Sequence, residues 1–175
     1  SQPLESIMIR DQETLNLLLD TISRFVRERP VPNEARVAET DRIPDELVSE
    51  MKELGLFGLS IPEEHGGMGL TMEEEVLATF EIGHTSPCFR SLFATNNGIG
   101  GQGIVIDGTP EQKAHYLPKL VTGELIGSFA LTEPDSGSDA ASLRTTAVRE
   151  GDFYVLNGTK RYSTNAPEAG IFTVM

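Results

Sequence analysis

The sequence holds a single cysteine, Cys88, so no disulfide can close within the chain. Its three histidines, His65, His84 and His115, lie far apart, and none has a partner at metal-binding spacing. No metal site is expected. No stretch approaches the ~18 consecutive apolar residues of a membrane span. The first residues, SQPLESIMIRDQE, lack the basic and apolar regions of a secretory signal, so the cytoplasm is the expected compartment. Positive charge is scarce: 14 Lys and Arg stand against 27 Asp and Glu, a formal charge of −13 with no basic run. Nucleic acid binding needs a concentrated basic patch to displace counterions, and an anionic membrane surface asks for the same. Neither is expected as a partner. There is no G-x-S-x-G elbow to support a serine hydrolase of that type.

What is present fits one domain, or one domain and part of another, in 175 residues. The hydrophobic share of 38% is slightly lean, which leaves apolar surface for further chain or partners to cover. Leu15, Leu18, Leu19, Ile22, Phe25 and Val26 share one face of a helix over residues 9–28, which Pro30 and Pro32 end. IPDELVSEMKELG predicts a second helix, with Pro44 at its first position, Leu47, Met51 and Leu54 along one side, and Gly55 as its stop. LFGLSIPEEHGGMGL reads as a structured connection. Thr71 with Glu74, and Thr109 with Gln112, form capping boxes for two more helices. The first runs through Met72, Val76, Leu77 and Phe80, the second through Ala114, Leu117 and Leu120.

After Gly123 the pattern changes. IGSFALT, RTTAVRE, FYVLN and KRYST are short β-compatible runs between turn signals, and Asn157-Gly158 is the dipeptide of a tight hairpin turn. Helices over residues 1–125 followed by strands over 126–175 predict an α+β chain with separate layers. The closing GIFTVM breaks off inside an apolar, strand-like run, so the chain is expected to be the N-terminal portion of a longer protein.

Three motifs invite chemistry. Gly98-Ile99-Gly100-Gly101-Gln102-Gly103 matches G-x-G-x-x-G, but a dinucleotide fingerprint follows a strand and opens a helix, and the flanks SLFATNN and IVIDGTP give the wrong order. Close packing explains these glycines better, and such a segment also suits the border of a narrow substrate channel. The acidic groups Glu63-Glu64 and Glu73-Glu74-Glu75 fit helix starts and a solvated surface. The third motif is SFALTEPDSGSD, residues 128–139. A DSGSD turn offers a nest of backbone N–H groups, with Ser136 and Ser138 adding hydroxyls, that suits a pyrophosphate. The same residues also read as an ordinary turn that caps itself, and both readings stand on these residues alone.

PEEHGGMGL, TPEQKAHYLPKLVTGELIGSFALTEPDSGSD and YVLNGTKRYSTNA resemble, in order and spacing, the signatures of acyl-CoA dehydrogenases, across essentially the whole chain. The resemblance implies an all-α N-terminal domain followed by the beginning of an antiparallel β-barrel-like domain. It implies FAD as cofactor, wrapped by Phe129, Ala130, Leu131, Thr132, Glu133, Pro134, Gly137 and Ser138. Thr132 is then near the hydrogen-bonding edge of the ring, and Ser138 at the pyrophosphate and close to an acyl-CoA substrate. Tyr162, Ser163 and Thr164 match a tripeptide beside the flavin, with the Thr164 hydroxyl near N5. Many members carry Trp where this chain has Tyr162 and Ile where it has Ser163, which bears on ring contact and substrate preference. The implied reaction is α,β-dehydrogenation of an acyl-CoA thioester to the 2-enoyl-CoA. The catalytic base belongs to a C-terminal domain beyond this chain, so the chain alone is expected to be inactive. A homotetramer passing electrons to an electron-transfer flavoprotein is also implied. The rivals are an acyl-CoA oxidase or flavin monooxygenase of the same architecture, and a non-catalytic flavin- or CoA-binding module.

Overall fold

In the computed structural model, residues 10–175 are described; the reading of the extreme N-terminus as free of a signal, and the predicted helix start at residue 9, lie outside them. Helix α1 (Gln12–Glu28) begins where Asp11 Oδ1 accepts from the backbone N–H of Glu13 and Thr14 at 3.0 and 3.2 Å. Its buried stripe is Leu15, Ile22 and Val26, with Leu18, Leu19 and Phe25 packed beside it. The prolines do end this helix, but Pro30 at once opens another, α2 (Pro30–Thr40), which the sequence pattern missed. A proline at the first helical position loses nothing, because its N–H would have no partner there. Helix α2 buries little beyond Pro30 and Val37, so it shows no clear apolar stripe.

Helix α3 (Asp45–Glu53) buries Leu47 and Met51; Pro44 is its N-cap and not its first residue, and Gly55, at φ +72°, follows its end. The connection over residues 56–70 supplies much of the core: Leu56, Phe57, Leu59 and Ile61 are buried. Phe57 meets Phe93 edge to face, with centroids 6.1 Å apart.

Both capping boxes form. In α4 (Met72–Ile82), Thr71 N donates to Glu74 Oε2 at 2.8 Å while Glu74 N donates to Thr71 Oγ1 at 3.3 Å. In α7 (Pro110–Val121), Thr109 and Gln112 do the same. Burial works to raise the Glu74 carboxyl, but hydrogen bonds from Thr71 and Arg10 outweigh it and hold it below the usual range. Thr71→Ala is expected to lower stability by ~1 kcal/mol, read as a shifted urea midpoint at constant slope. Three of the apolar residues of α4 are exposed, Met72 at 77%, Phe80 at 68% and Val76, while Ala78 and Ile82 face the core.

Helix α5 (Pro87–Asn97) runs through the core and α6 (Gln102–Asp107) is a short turn after it. The Gly98–Gly103 motif thus follows a helix, not a strand, although it does open a helix, against expectation. A Cβ on Gly101 would sit 1.9 Å from Asn96 O, so the chain folds back on α5 more tightly than any side chain allows.

Strand β1 (Gly127–Ala130) pairs in parallel with β4 (Ile171–Val174), and β2 (Thr146–Glu150) pairs antiparallel with β3 (Phe153–Asn157). Helices followed by strands is the expected order. Only β2 and β3 run antiparallel, however, and among the described residues the strands form two-stranded sheets with no closed barrel. Two local expectations are corrected. The β2–β3 turn is Gly151-Asp152, with Gly151 at φ +63°, whereas Asn157 pairs with Thr146 at the open end of the hairpin. Gly158 is there for clearance, since a Cβ would lie 2.2 Å from Thr145 Oγ1. KRYST forms no strand; residues 158–170 are irregular.

Candidate functional site

Strand β1 is fixed from below by helix α5. Asn96, fully buried, accepts from Gly127 N at 2.7 Å and donates to Leu120 O and Leu125 O, each at 2.9 Å. Ser128, also fully buried, donates its hydroxyl to Thr164 O at 2.7 Å. Beyond Ala130, Arg161 N donates to Thr132 O at 2.8 Å. These two bonds lay Tyr162-Ser163-Thr164 beside Phe129–Thr132, so the segments assigned separately from the sequence are brought together.

Glu133 makes the joint rigid. Its carboxylate is 6% exposed and accepts from Lys160 Nζ (2.8 Å), the Thr145 hydroxyl (2.5 Å), Arg144 N (2.7 Å) and Thr145 N (2.9 Å). The Lys160 ammonium and then the Thr145 hydroxyl hold its pKa down to about 2. Lys160 also donates to Leu131 O at 3.0 Å. Glu133 therefore spends its side chain on the protein itself.

The DSGSD turn is partly self-capping. Glu133 and Ser136 exchange backbone hydrogen bonds, and the buried Ser136 hydroxyl donates inward to Asp139 O at 2.6 Å, so it does not line a nest. Pro134, Gly137 and Ser138 form an exposed lip, and a Cβ on Gly137 would meet nothing within 4 Å. Phe129, Leu131, Thr132 and Ser163 are half-buried, Ala130 is buried, and Thr164 is exposed. Tyr162 is 83% exposed in a left-handed backbone, φ +57°. No described hydrogen bond ties Ser138 to the tripeptide.

Two family models match this chain: acyl-CoA dehydrogenase, N-terminal domain, over residues 12–124, and acyl-CoA dehydrogenase, middle domain, over residues 128–175. The chain belongs to the acyl-CoA dehydrogenase family. It is 39% identical over 148 residues to an acyl-CoA dehydrogenase of Bacillus subtilis (strain 168), covering 85% of this chain and 39% of that protein. It is 39% identical over 175 residues to the human mitochondrial very long-chain specific acyl-CoA dehydrogenase, covering 98% of this chain and 26% of that protein. A solved acyl-CoA dehydrogenase from Bacillus anthracis, complexed with FAD, matches 99% of this chain and 30% of its own at a TM-score of 0.85 and 33% identity. The chain thus spans well under half the length of these acyl-CoA dehydrogenases.

Two cavities flank the family's signature segments. A cleft of about 360 Å³ lies between α6, α7 and β4, bordered by Gly103, Ile104, Asp107, Tyr116, Phe172 and Thr173. Of the glycine-rich segment, Gly103 lines this cleft. A larger cavity, about 820 Å³, opens between α4, α5 and α6 and includes none of the residues assigned to the flavin. Burial in it raises the Glu75 carboxyl, against the pull of Arg90. Ser128, Lys160, Asn96 and Asn165, which hold the signature segments together, were not singled out from the sequence. Ser128, Lys160 and Asn165 sit inside signature stretches; what marks them is only the partner each meets in three dimensions.

Proposed function

We propose that this chain forms a flavin cradle, with FAD held by Phe129–Pro134, Gly137, Ser138 and Tyr162–Thr164, in a protein that dehydrogenates acyl-CoA thioesters. The observation that carries this is the juxtaposition of the two segments through Arg161 N–Thr132 O and Ser128 Oγ–Thr164 O. The residues fit the group. Exposed backbone and hydroxyls at Gly137 and Ser138 suit a pyrophosphate without a cation, and nothing stands within 4 Å of a Cβ on Gly137 to block approach.

FAD held by these residues would supply a hydride acceptor for the β hydrogen of an acyl-CoA, with a base taking the α proton to leave the 2-enoyl-CoA. This chain's share is to orient. Thr132 and Thr164 would supply hydroxyls, Tyr162 a planar ring, and Ser138 a hydroxyl for phosphate or thioester. The base is proposed to come from chain beyond these residues, with electrons passing to an electron-transfer flavoprotein from a homo-oligomer. Recognition of anionic CoA by a chain of charge −13 is local, through hydroxyls and backbone N–H groups.

Incubated with FAD and desalted, the protein is expected to keep near-stoichiometric flavin absorbance. In the whole protein that colour is expected to bleach on anaerobic addition of an acyl-CoA. Colourless protein, whole or as this chain, would sink the proposal.

A further inference from the structure

The Tyr162–Thr164 segment belongs to no strand, yet it is held at both ends. Its leading end is fixed by Lys160 and Arg161 N to the chain after β1. Its trailing end is Asn165, at φ +64°, whose Nδ2 lies 2.9 Å from Ser91 O, 3.1 Å from Leu92 O and 2.9 Å from Thr95 Oγ1, all on α5. The next turn builds on it, with Glu168 N donating to Asn165 O at 2.9 Å. A left-handed backbone together with N–H donors on a short side chain is a demand that asparagine meets. Glycine accepts the backbone but brings no donor. Aspartate keeps the shape but turns a carboxylate toward two carbonyl oxygens.

We infer that Asn165 is a positioning residue: by anchoring the turn after Thr164 to α5, it sets where Tyr162, Ser163 and Thr164 stand relative to Thr132. The inference rests on the flavin cradle proposed above. Helix α5 also carries Asn96, which fixes β1, so both walls of the cradle are referenced to one helix. Asn165 touches no reacting atom; its effect passes through the three residues before it.

The test uses Asn165→Gly and Asn165→Asp, each compared with wild type. It reads the FAD dissociation constant, the visible circular dichroism of the bound flavin, and amide hydrogen exchange of the flavin-free protein. Asn165→Gly keeps the left-handed turn without strain, so the test does not hang on whether the aspartate variant folds. The expected result is FAD affinity lower by about tenfold or more, a changed flavin dichroism, and lost protection over residues 160–166. Protection of the β2–β3 hairpin and the far-ultraviolet helix signal should stay at wild-type values. A general structural role would instead lower protection throughout and leave the dichroism of retained flavin unchanged, which would overturn the inference. Wild-type affinity in the glycine variant would overturn it as well. Failure of wild-type protein to bind FAD sinks the proposed function and takes the inference with it, and is read before any substitution is compared.

Discussion

Asn96→Ala is expected to be the most damaging truncation at the seam between helices and strands, lowering stability by roughly 3 kcal/mol or more. The carboxamide is fully buried and makes three hydrogen bonds, two to the carbonyls of Leu120 and Leu125 and one from Gly127 N. Alanine leaves Gly127 N and Leu125 O without their partner, whereas Leu120 O keeps its bond from Gly123 N at 3.1 Å, and each orphan carries a desolvation penalty of about 1–3 kcal/mol. Set against a typical total of about 5–15 kcal/mol, this is a large share. Urea unfolding followed by circular dichroism checks it. A midpoint within error of wild type would mean that water or a rearranged turn replaces the amide. Asn96→Asp separates the contributions: it keeps an acceptor for Gly127 N but turns an acceptor toward the two carbonyls, and should be as damaging as alanine.

Glu133→Gln is expected to lower the melting temperature at pH 7 and to remove part of the acid sensitivity of the protein. The Glu133 carboxyl falls from its ordinary 4.5 to about 2 in the folded chain, first through Lys160 and then Thr145. A depressed carboxyl contributes stability that is fully present above its unfolded value and is lost as pH falls through the folded one. The contribution of Glu133 therefore fades between about pH 4.5 and about pH 2. Asp11, Glu46, Glu74 and Glu111 are also held low, so the wild-type curve falls for several reasons at once. The difference between wild-type and Glu133→Gln melting curves isolates one group. That difference should be greatest near neutrality and narrow steadily through the acid window. Parallel curves would show that the Lys160 contact is not an ion pair in solution. Glutamine keeps an acceptor oxygen but no charge, so it leaves the Lys160 ammonium, whose side chain is 13% exposed, without its counter-charge, and the site itself should loosen.

Local chemistry was legible in the sequence, and long-range chemistry was not. The capping boxes at Thr71 and Thr109 are contacts between residues three apart, and both form as the spacing predicts. Helix α2 escaped because its evident signal, a pair of prolines, marks a break and a start equally well. Asn157-Gly158 misled for a related reason: the dipeptide suits a tight turn, but here the glycine makes room for Thr145. Within the site, Phe129–Ser138 and Tyr162–Thr164 were nameable from resemblance. What joins them was not. The bond from Asn165 to Ser91 O spans 74 positions, and nothing in the neighbourhood of either residue announces the other. Ser136 shows the limit at short range, since a serine in a polar turn reads equally as a ligand or as part of a self-capping turn, and it is a buried strut.

The parallel pairing of β1 with β4 has a kinetic consequence. Residues 131–170, with the candidate cradle and the β2–β3 hairpin, form a single excursion whose ends meet only when Gly127–Ala130 finds Ile171–Val174. Closing so long a loop costs entropy before any contact within it is rewarded, and pairings of high contact order form slowly. The hairpin is local and needs no such closure. Helices and hairpin should therefore fold early, with the candidate cradle completed last by zipping of the two strands, so that the proposed flavin site exists only after the final step of folding.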